Sequence, residues 1–256
     1  MLLCIDIGNS TTSFGVVTDG AISSLFKIPT QREPCAPDIA GIVKAKLAEH
    51  SIGGSSVKRC IISSVVPELD SLFRELIINT FKVPVLFVDS TIKLSIDIKV
   101  KEPANIGADR LANAIGAYSL VQENLIVIDI GTAATFDHIT KDGIFLGGVI
   151  APGPMTALSA LYNSASKLNT VEITPQEKVI GDDTASAMQS GIWFGYIGLI
   201  DNIVNEMKRE ISEDVKVILT GGAAAIFKDR LDIIDIYDEH LIFKGLYNID
   251  LQNRPV

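Results

Sequence analysis

Short apolar runs alternate along the chain with apolar residues at helical spacing. The runs predict buried strands at Leu2–Ile7, Cys60–Ser64, Val83–Val88, Leu125–Ile130 and Val215–Leu219. Helical periodicity predicts helices after Asp38, after Pro67, from about Asp109, and over roughly 184–209. Strands that alternate with helices in this way indicate an α/β fold in which mixed β-sheets are flanked by helices.

The most informative pattern is an internal repeat. The segment Ile5-Asp6-Ile7-Gly8-Asn9-Ser10-Thr11-Thr12 aligns with Ile128-Asp129-Ile130-Gly131-Thr132-Ala133-Ala134-Thr135 at an offset of 123 residues. At the same offset, the predicted hairpin turn Asp19-Gly20 meets Asp142-Gly143. A repeat near half the chain length predicts two similar domains, 1–120 and 121–256, with an active-site cleft between them.

The repeated strand-Asp-x-Gly segment has the chemistry of a phosphate-binding loop. Glycine lets the backbone approach a phosphate closely, and successive N–H groups with nearby hydroxyls can bind its oxygens. The aspartate can orient a hydrated Mg²⁺ or bind a monovalent cation directly. One such motif is usually only a turn, but two in register favour a pair of loops on one polyphosphate. In the first loop the candidate ATP-binding residues are Asp6, Ile7, Gly8, Asn9, Ser10, Thr11, Thr12 and Ser13.

Three other segments are candidates for contacts with a nucleotide or an acceptor. Thr220-Gly221-Gly222 leaves room for a base or ribose where a strand meets a helix, although an ordinary turn would look the same. Asp109, within Gly107–Arg110, could accept a proton from an attacking hydroxyl while Arg110 holds a carboxylate, or the pair could be a helix cap and a solvated arginine. Thr184 could contact a substrate or cap the long helix.

Composition narrows the function classes. The net charge of −9 disfavours a nucleic-acid partner, and it requires metal ions and backbone N–H groups to offset the charge of ATP. Three cysteines without a CxxC pair indicate a reducing, cytoplasmic environment. The N-terminal apolar run is too short for a signal peptide, and the apolar stretch from Ile192 to Val204 is too short to cross a membrane.

Taken in order, these motifs resemble those of type III pantothenate kinases, members of the actin-like (ribonuclease H-like) superfamily. Asp6–Ser10 and Asp129–Ala133 resemble the two phosphate motifs, and Gly107–Arg110 matches the pantothenate motif, the most specific of the set. Matches to further motifs of the family are found at Gly181–Thr184, Gln189–Gly191, Gly147–Gly153 and Thr220–Gly222.

The resemblance implies a transferase that phosphorylates pantothenate with ATP in the first step of coenzyme A synthesis. It implies that Asp109 is the general base and that Gly107, Ala108, Asp109, Arg110 and Thr184 bind pantothenate. Thr132, Gly221 and Gly222 would contact ATP, and Asp129 would bind potassium or ammonium, with Mg²⁺ accompanying ATP. It also implies a homodimer. Three features depart from the family pattern: Val100, often aromatic, Ala134, often threonine, and the less usual Gly153-Pro154.

Two alternatives remain open at the level of sequence. A related enzyme could phosphorylate a sugar or another hydroxy acid, which a panel of acceptors would reveal. A catalytically silent regulatory paralogue could share the fold, but the presence of Asp6, Asp109, Arg110 and Asp129 argues against it.

Overall fold

The computed structural model describes residues 1–31, 39–164 and 171–254. The predicted cap Asp38 lies outside these residues. The chain divides into two compact units, one of Met1–Leu120 with His240–Val256 and the other of Val121–Glu239. Each unit contains a mixed sheet with helices, which confirms the predicted fold class.

The elements of the first unit are β1 (Leu2–Ile7), β2 (Thr11–Thr18), β3 (Ala21–Pro29), α1 (Ile39–Glu49), β4 (Arg59–Ser64), α2 (Pro67–Phe81), β5 (Val85–Phe87), β6 (Asp97–Ile98) and α3 (Ala108–Leu120), with short 3₁₀ turns at Gly54–Ser56 and Pro103–Asn105. The unit is built on a sheet of order β3-β2-β1-β4-β5. Strand β1 is antiparallel to β2 and parallel to β4, and its side chains Leu3, Ile5 and Ile7 are buried in one hydrophobic cluster with residues of helices α1 and α2.

The elements of the second unit are β7 (Leu125–Ile130), β8 (Ala133–Ile139), β9 (Ile144–Pro152), α4 (Pro154–Ser164), α5 (Thr184–Ile211), β10 (Lys216–Thr220), α6 (Ala224–Phe227) with a 3₁₀ turn at Lys228–Arg230, and β11 (Ile236–Tyr237). They repeat the arrangement of the first unit, with these strands in the order β11-β10-β7-β8-β9. Strand β7 is antiparallel to β8 and parallel to β10, as β1 is to β2 and β4.

The two hairpins differ by one residue, which the ungapped sequence comparison did not reveal. Asp6 pairs with Ser13, whereas Asp129 pairs with Thr135, so the loop of the second hairpin is one residue shorter. The next turn along the chain compensates. Asp19 and Gly20, both with positive φ, join β2 to β3, whereas the longer turn between β8 and β9 is closed by the N–H of Gly143, which donates to the carbonyl of Thr140 (2.9 Å). Thr12 and Thr135, aligned in sequence, therefore occupy different positions in the two hairpins.

The C-terminal helix α7 (Leu241–Gln252) corrects the predicted second domain, which extended to residue 256. It packs against α3 in the first unit, and glycines at the crossing bring the two backbones together. A Cβ added to Gly245 would overlap the carbonyl oxygen of Ala112, and one added to Gly116 would overlap that of Leu241. The returning helix is therefore fixed by close packing with α3, which no periodicity in the sequence indicates.

The long helix α5 lies with its most apolar side on the core of the second unit. Trp193 and Tyr196 are buried there, and the ring centroids of Trp193 and Phe227 are 5.4 Å apart. This face of α5 is therefore part of the hydrophobic core of the second unit. No helix within the described ranges is long and apolar enough to span a membrane.

Candidate functional site

The loop after β1 is held by hydrogen bonds to its carbonyl oxygens. The hydroxyl of Thr30 donates to the carbonyl of Gly8 (2.6 Å), and its backbone N–H donates to Ser10 (2.9 Å). The N–H of Gly8 donates to Thr11 (3.0 Å) across the turn. Because an anion site presents N–H groups, engaging the carbonyls elsewhere fixes the loop in a form suited to phosphate.

Burial divides the predicted first-loop residues into two groups. Asn9, Ser10 and Thr11 are exposed, and Asp6 and Gly8 are half-buried. The side chains of Ile7, Thr12 and Ser13 are buried; the hydroxyl of Thr12 lies 3.0 Å from that of Thr30. These three side chains therefore stabilise the hairpin, and the exposed loop offers the groups that a ligand could reach.

Asp6 lies where the carboxyl ends of β1 and β4 meet. Parallel pairing sets it opposite Ser63, whose hydroxyl donates to the Asp6 carboxylate (2.9 Å). Just beyond, the N–H of Val65 donates to the carbonyl of Ile7 (3.0 Å). The carboxyl ends of β1 and β4 thus hold one oriented carboxylate beside the loop.

The segment Gly107–Arg110 lies beside the carboxyl end of β4. Helix α3 begins at Ala108, and a Cβ on Gly107 would lie 3.4 Å from a Val65 methyl group and would overlap the carboxylate of Asp109. Glycine at 107 therefore leaves the space that the Asp109 carboxylate occupies. Asp109 and Arg110 are both half-buried at the start of the helix.

The environment of Asp109 alters its proton affinity. Burial raises the pKa of its carboxyl, while the N–H of Arg110, which donates to Oδ1 at 2.7 Å, and the guanidinium charge of Arg110 partly oppose that rise. A carboxylate with a raised pKa and a partly open face is suited to accept a proton from a hydroxyl.

The second unit brings Asp129 and Gly221 together at the carboxyl ends of β7 and β10. Thr220 pairs with Asp129, and the next residue, Gly221, turns with a φ of 106°. A side chain at Gly221 would be strained at that φ and would collide with the Asp129 carboxylate and the Ile130 backbone. Gly222 is exposed, with open space where a Cβ would be, so this turn could accommodate a flat group.

Two hydrogen bonds to the carbonyl of Thr132 hold the loop that follows β7. The carbonyl of Thr132 accepts from the N–H of Gly153 (2.9 Å) and from the hydroxyl of Thr156 (2.6 Å), while the residue itself is exposed. The hydroxyl of Tyr196 donates to the carbonyl of Pro152 (2.8 Å) and so holds the end of β9. Ala134, where the family often has threonine, is fully buried and lies in the hydrophobic cluster.

Thr184 is exposed at the first position of α5, and it is not the cap. The cap is Asp183, whose carboxylate accepts from the N–H of Ser186 (2.7 Å), while the Ser186 hydroxyl accepts from the N–H of Asp183 (3.1 Å). The hydrogen bonds from Ser186 lower the pKa of Asp183. The interpretation of Thr184 as the helix cap is therefore wrong. Its hydroxyl lies at the start of the helix, where it could contact a polar ligand.

Sequence reasoning missed the residues that position these loops. Thr30, Ser63 and Thr156 act through side-chain hydrogen bonds to residues that lie far from them in the sequence. The only available signal was weak: a hydroxyl residue at a strand end, which is common in any α/β protein.

The donor groups fit a divalent ion that arrives with ATP. Among the residues described, no group of three or more His, Cys, Asp or Glu side chains could enclose a metal. Mg²⁺ commonly keeps several water ligands and binds through one or two carboxylates plus substrate phosphates. A single half-buried aspartate at the end of each repeated strand, Asp6 and Asp129, is compatible with that mode of binding.

Comparisons with known proteins agree with this picture. A family model described as type III pantothenate kinase matches residues 2–206. A Campylobacter jejuni protein described as a Baf family transcriptional activator is 22% identical over 98% of both chains, with a TM-score of 0.59. A Sinorhizobium meliloti protein described as a 2-dehydro-3-deoxygalactonokinase is 12% identical, over 100% of this chain and 98% of the other, with a TM-score of 0.59.

An archaeal actin homologue is 12% identical over 98% of this chain and 99% of its own, with a TM-score of 0.51. At these identities the structural likenesses show the fold alone. The fold is therefore the actin-like one that sugar kinases share.

Proposed function

The chain belongs to the type III pantothenate kinase family, and we propose that it transfers the γ-phosphate of ATP to pantothenate with Asp109 as the general base. The family match over residues 2–206 carries the activity, which belongs to coenzyme A synthesis. The role of Asp109 rests on its half-buried carboxylate with a raised pKa, beside the carboxyl end of β4 in the first unit.

The proposed reaction is a direct in-line transfer. Asp109 accepts the proton of the primary hydroxyl as that oxygen forms a bond to the γ-phosphorus and the bond to the β,γ-bridging oxygen breaks. The proton goes to the carboxylate and ADP leaves. Arg110 supplies a guanidinium that could hold the pantothenate carboxylate, and Gly107, Ala108 and Thr184 complete the proposed acceptor contacts.

ATP, in this proposal, is bound by backbone N–H groups and hydroxyls of the two repeated loops. Asn9, Ser10 and Thr11 are the exposed members of the first loop, and Thr132 is exposed in the second. Gly221 and Gly222 form the turn proposed for the adenosine part. The kinase family uses a divalent metal with ATP, and when bound it would neutralise charge on the phosphates.

A monovalent cation at Asp129 is a further part of the proposal. A side chain at Gly221 would overlap the Asp129 carboxylate, so the glycine allows that carboxylate to stay at the carboxyl end of β7, where we propose that it binds the ion. Potassium or ammonium there would offset phosphate charge in a protein whose net charge is −9. A rate that does not respond to potassium or ammonium would contradict this site.

Homodimer formation is proposed from the outer face of α5. Gly191, Gly195 and Gly198 are exposed along that helix, and in the described part of the chain no atom outside their own stretch of helix lies within 4 Å of the Cβ position of any of them. Such a face lets a second helix approach closely. A monomeric mass for the full chain in sedimentation equilibrium would contradict the dimer.

A cytoplasmic location is also proposed, because the buried thiols of Cys4 and Cys60 are unpaired.

The experiment that tests the activity is an ATP-consumption assay with Mg²⁺ and a panel of hydroxylated acceptors, with and without potassium. We expect turnover with pantothenate well above that with sugars or other hydroxy acids. Preferred turnover of another acceptor would overturn the substrate assignment. Neither binding nor turnover of ATP and pantothenate would favour a silent paralogue.

The Thr30→Val variant tests the first loop. Removing the hydroxyl leaves the Gly8 carbonyl without its donor, so we expect the loop to lose its fixed form and the KM for ATP to rise roughly tenfold. The KM for pantothenate should change less than about twofold, because the acceptor groups keep their contacts. Steady-state kinetics against each substrate separates the two effects.

Thr30→Ser is the matched control, since it keeps the hydroxyl and should restore most of the affinity for ATP. A Thr30→Val enzyme with the original KM for ATP would show that this hydrogen bond does not order the loop.

A further inference from the structure

A cavity of about 340 Å³ opens in the first unit at the amino ends of β1 and β4. These are the opposite strand ends from Asp6, so the cavity is separate from the phosphate loop. Its charged and aromatic lining comes from the Asp19 turn, the start of β4 and helix α7: Asp19, Lys58, Arg59, Tyr247, Asp250 and Arg254.

Asp250 fixes the two arginines that line this cavity. Its side chain is fully buried, and each carboxylate oxygen accepts one hydrogen bond from an arginine: Oδ1 from Nε of Arg59 (2.7 Å) and Oδ2 from Nε of Arg254 (3.1 Å). A buried carboxylate that grips two guanidiniums fixes their orientation before any ligand binds. The entropy cost of ordering two long side chains is therefore already met in the free protein.

The guanidiniums keep most of their hydrogen-bonding capacity. In the described part of the chain, the Nε bond to Asp250 is the one hydrogen bond that each of them makes. A guanidinium has five N–H donors, so the Nη groups of both remain for a ligand. Their side chains are 22% and 46% exposed, which leaves them accessible.

The charges around the cavity are not balanced. Asp250 carries one negative charge against the two arginines, and Lys58 adds a third positive charge that Asp19 offsets. Lys58 is held by a hydrogen bond from Nζ to the carbonyl of Ser55 (2.9 Å), an uncharged partner. In a protein with a net charge of −9, a local excess of positive charge around a cavity attracts an anion.

We propose that this cavity is a second anion site, which binds a phosphate group through the Nη atoms of Arg59 and Arg254 with Lys58 at its edge. Paired guanidinium forks match the oxygens of phosphate, and an ammonium adds a point charge. The phosphate belongs either to the inorganic ion or to a small phosphate monoester. The proposal does not depend on the acceptor or the catalytic base proposed above.

The competing explanation is purely structural: Asp250 and the arginines would only tie α7 to β4. That role needs one arginine for one carboxylate, and it needs neither the cavity nor the unused donors. A structural tie also predicts that phosphate changes the melting temperature of the parent and of the cavity variants equally, by its general salt effect alone. A ligand that binds the cavity only in the folded state adds a further rise that the cavity variants should lose.

The test is isothermal titration of the full-length enzyme with inorganic phosphate, in the presence of a saturating non-hydrolysable ATP analogue that blocks the phosphate loops. We expect saturable binding with one site per chain, and a phosphate-dependent rise in melting temperature. Arg254→Gln should weaken binding at least about tenfold through loss of a charge-assisted hydrogen bond, and Asp19→Asn should tighten it. A parallel titration with glycerol 3-phosphate shows whether a monoester binds more tightly than the free ion.

Arg209→Gln is the control, because Arg209 is an exposed arginine of α5 whose ion pair is with Glu206 on the surface. It should bind phosphate as the parent enzyme does. If Arg254→Gln is unstable, Lys58→Gln tests the same site, because its one hydrogen bond in the described residues is to Ser55. Absence of saturable binding of both probes, or equal binding by the parent and the cavity variant, would overturn the site.

Discussion

The Asp109→Asn variant should lose about 10²–10⁴-fold in kcat, the range expected for removal of a general base. An amide has the same shape as the carboxylate but cannot accept the hydroxyl proton. The Asn side-chain oxygen can still accept the N–H of Arg110, so helix α3 should begin as before. Circular dichroism and melting temperature should therefore stay close to those of the parent enzyme.

The pH dependence gives a second measure of the same residue. The base must be ionised to accept a proton, and burial raises the pKa of Asp109 above its ordinary value of 3.8. Activity should therefore fall as pH drops through that raised pKa, and this acid limb of kcat/KM should be absent from the small residual activity of the variant. Asp142→Asn, which changes an exposed carboxylate in the β8–β9 turn, is the control and should leave kcat unchanged. Parent-like turnover of Asp109→Asn would remove Asp109 from the mechanism.

Gly245→Ala should lower the free energy of unfolding by about 1–3 kcal/mol, as overpacking a tight contact does. The added methyl group would overlap the Ala112 carbonyl, so α7 must move away from α3. Because α3 begins beside Asp109, that movement should also reduce kcat. We expect the melting temperature to fall by roughly 2–4 °C for each kcal/mol lost from the free energy of unfolding.

Gln252→Ala provides the comparison for this packing prediction. Gln252 is exposed at the end of the same helix, and its substitution should change stability by less than about 0.5 kcal/mol. Equal melting temperatures for the parent and Gly245→Ala would mean that the two helices can separate at little cost.

Local signals in the sequence located most of the strands and the chemistry at their ends. Leu2–Ile7 and Leu125–Ile130 are strands with the bounds predicted, since each is a continuous apolar run that ends at an aspartate and a glycine. Helix α3 starts within one residue of the predicted Asp109. The roles of Asp109, Asp129 and the loop residues remain predictions that the fold makes specific.

Other features depended on partners far away in the sequence. The one-residue difference between the hairpins follows from the strand pairings, because an ungapped comparison cannot show a short loop that a longer turn later compensates. No helix or strand was predicted after the helix that follows Thr220–Gly222, yet α7 returns to the first unit and supplies Asp250 to the anion cavity.

The sequence by itself determined the duplicated α/β plan and the placing of a carboxylate and a glycine at the end of each repeated strand. These are local properties, set by apolar runs and by the conformational needs of a few adjacent residues. Only the tertiary structure decided that Thr30 holds the first loop, that Trp193 lies in a core, and that Asp250 joins two arginines. Each of those contacts joins residues distant along the chain, and their free energy appears only when strands and helices pack together.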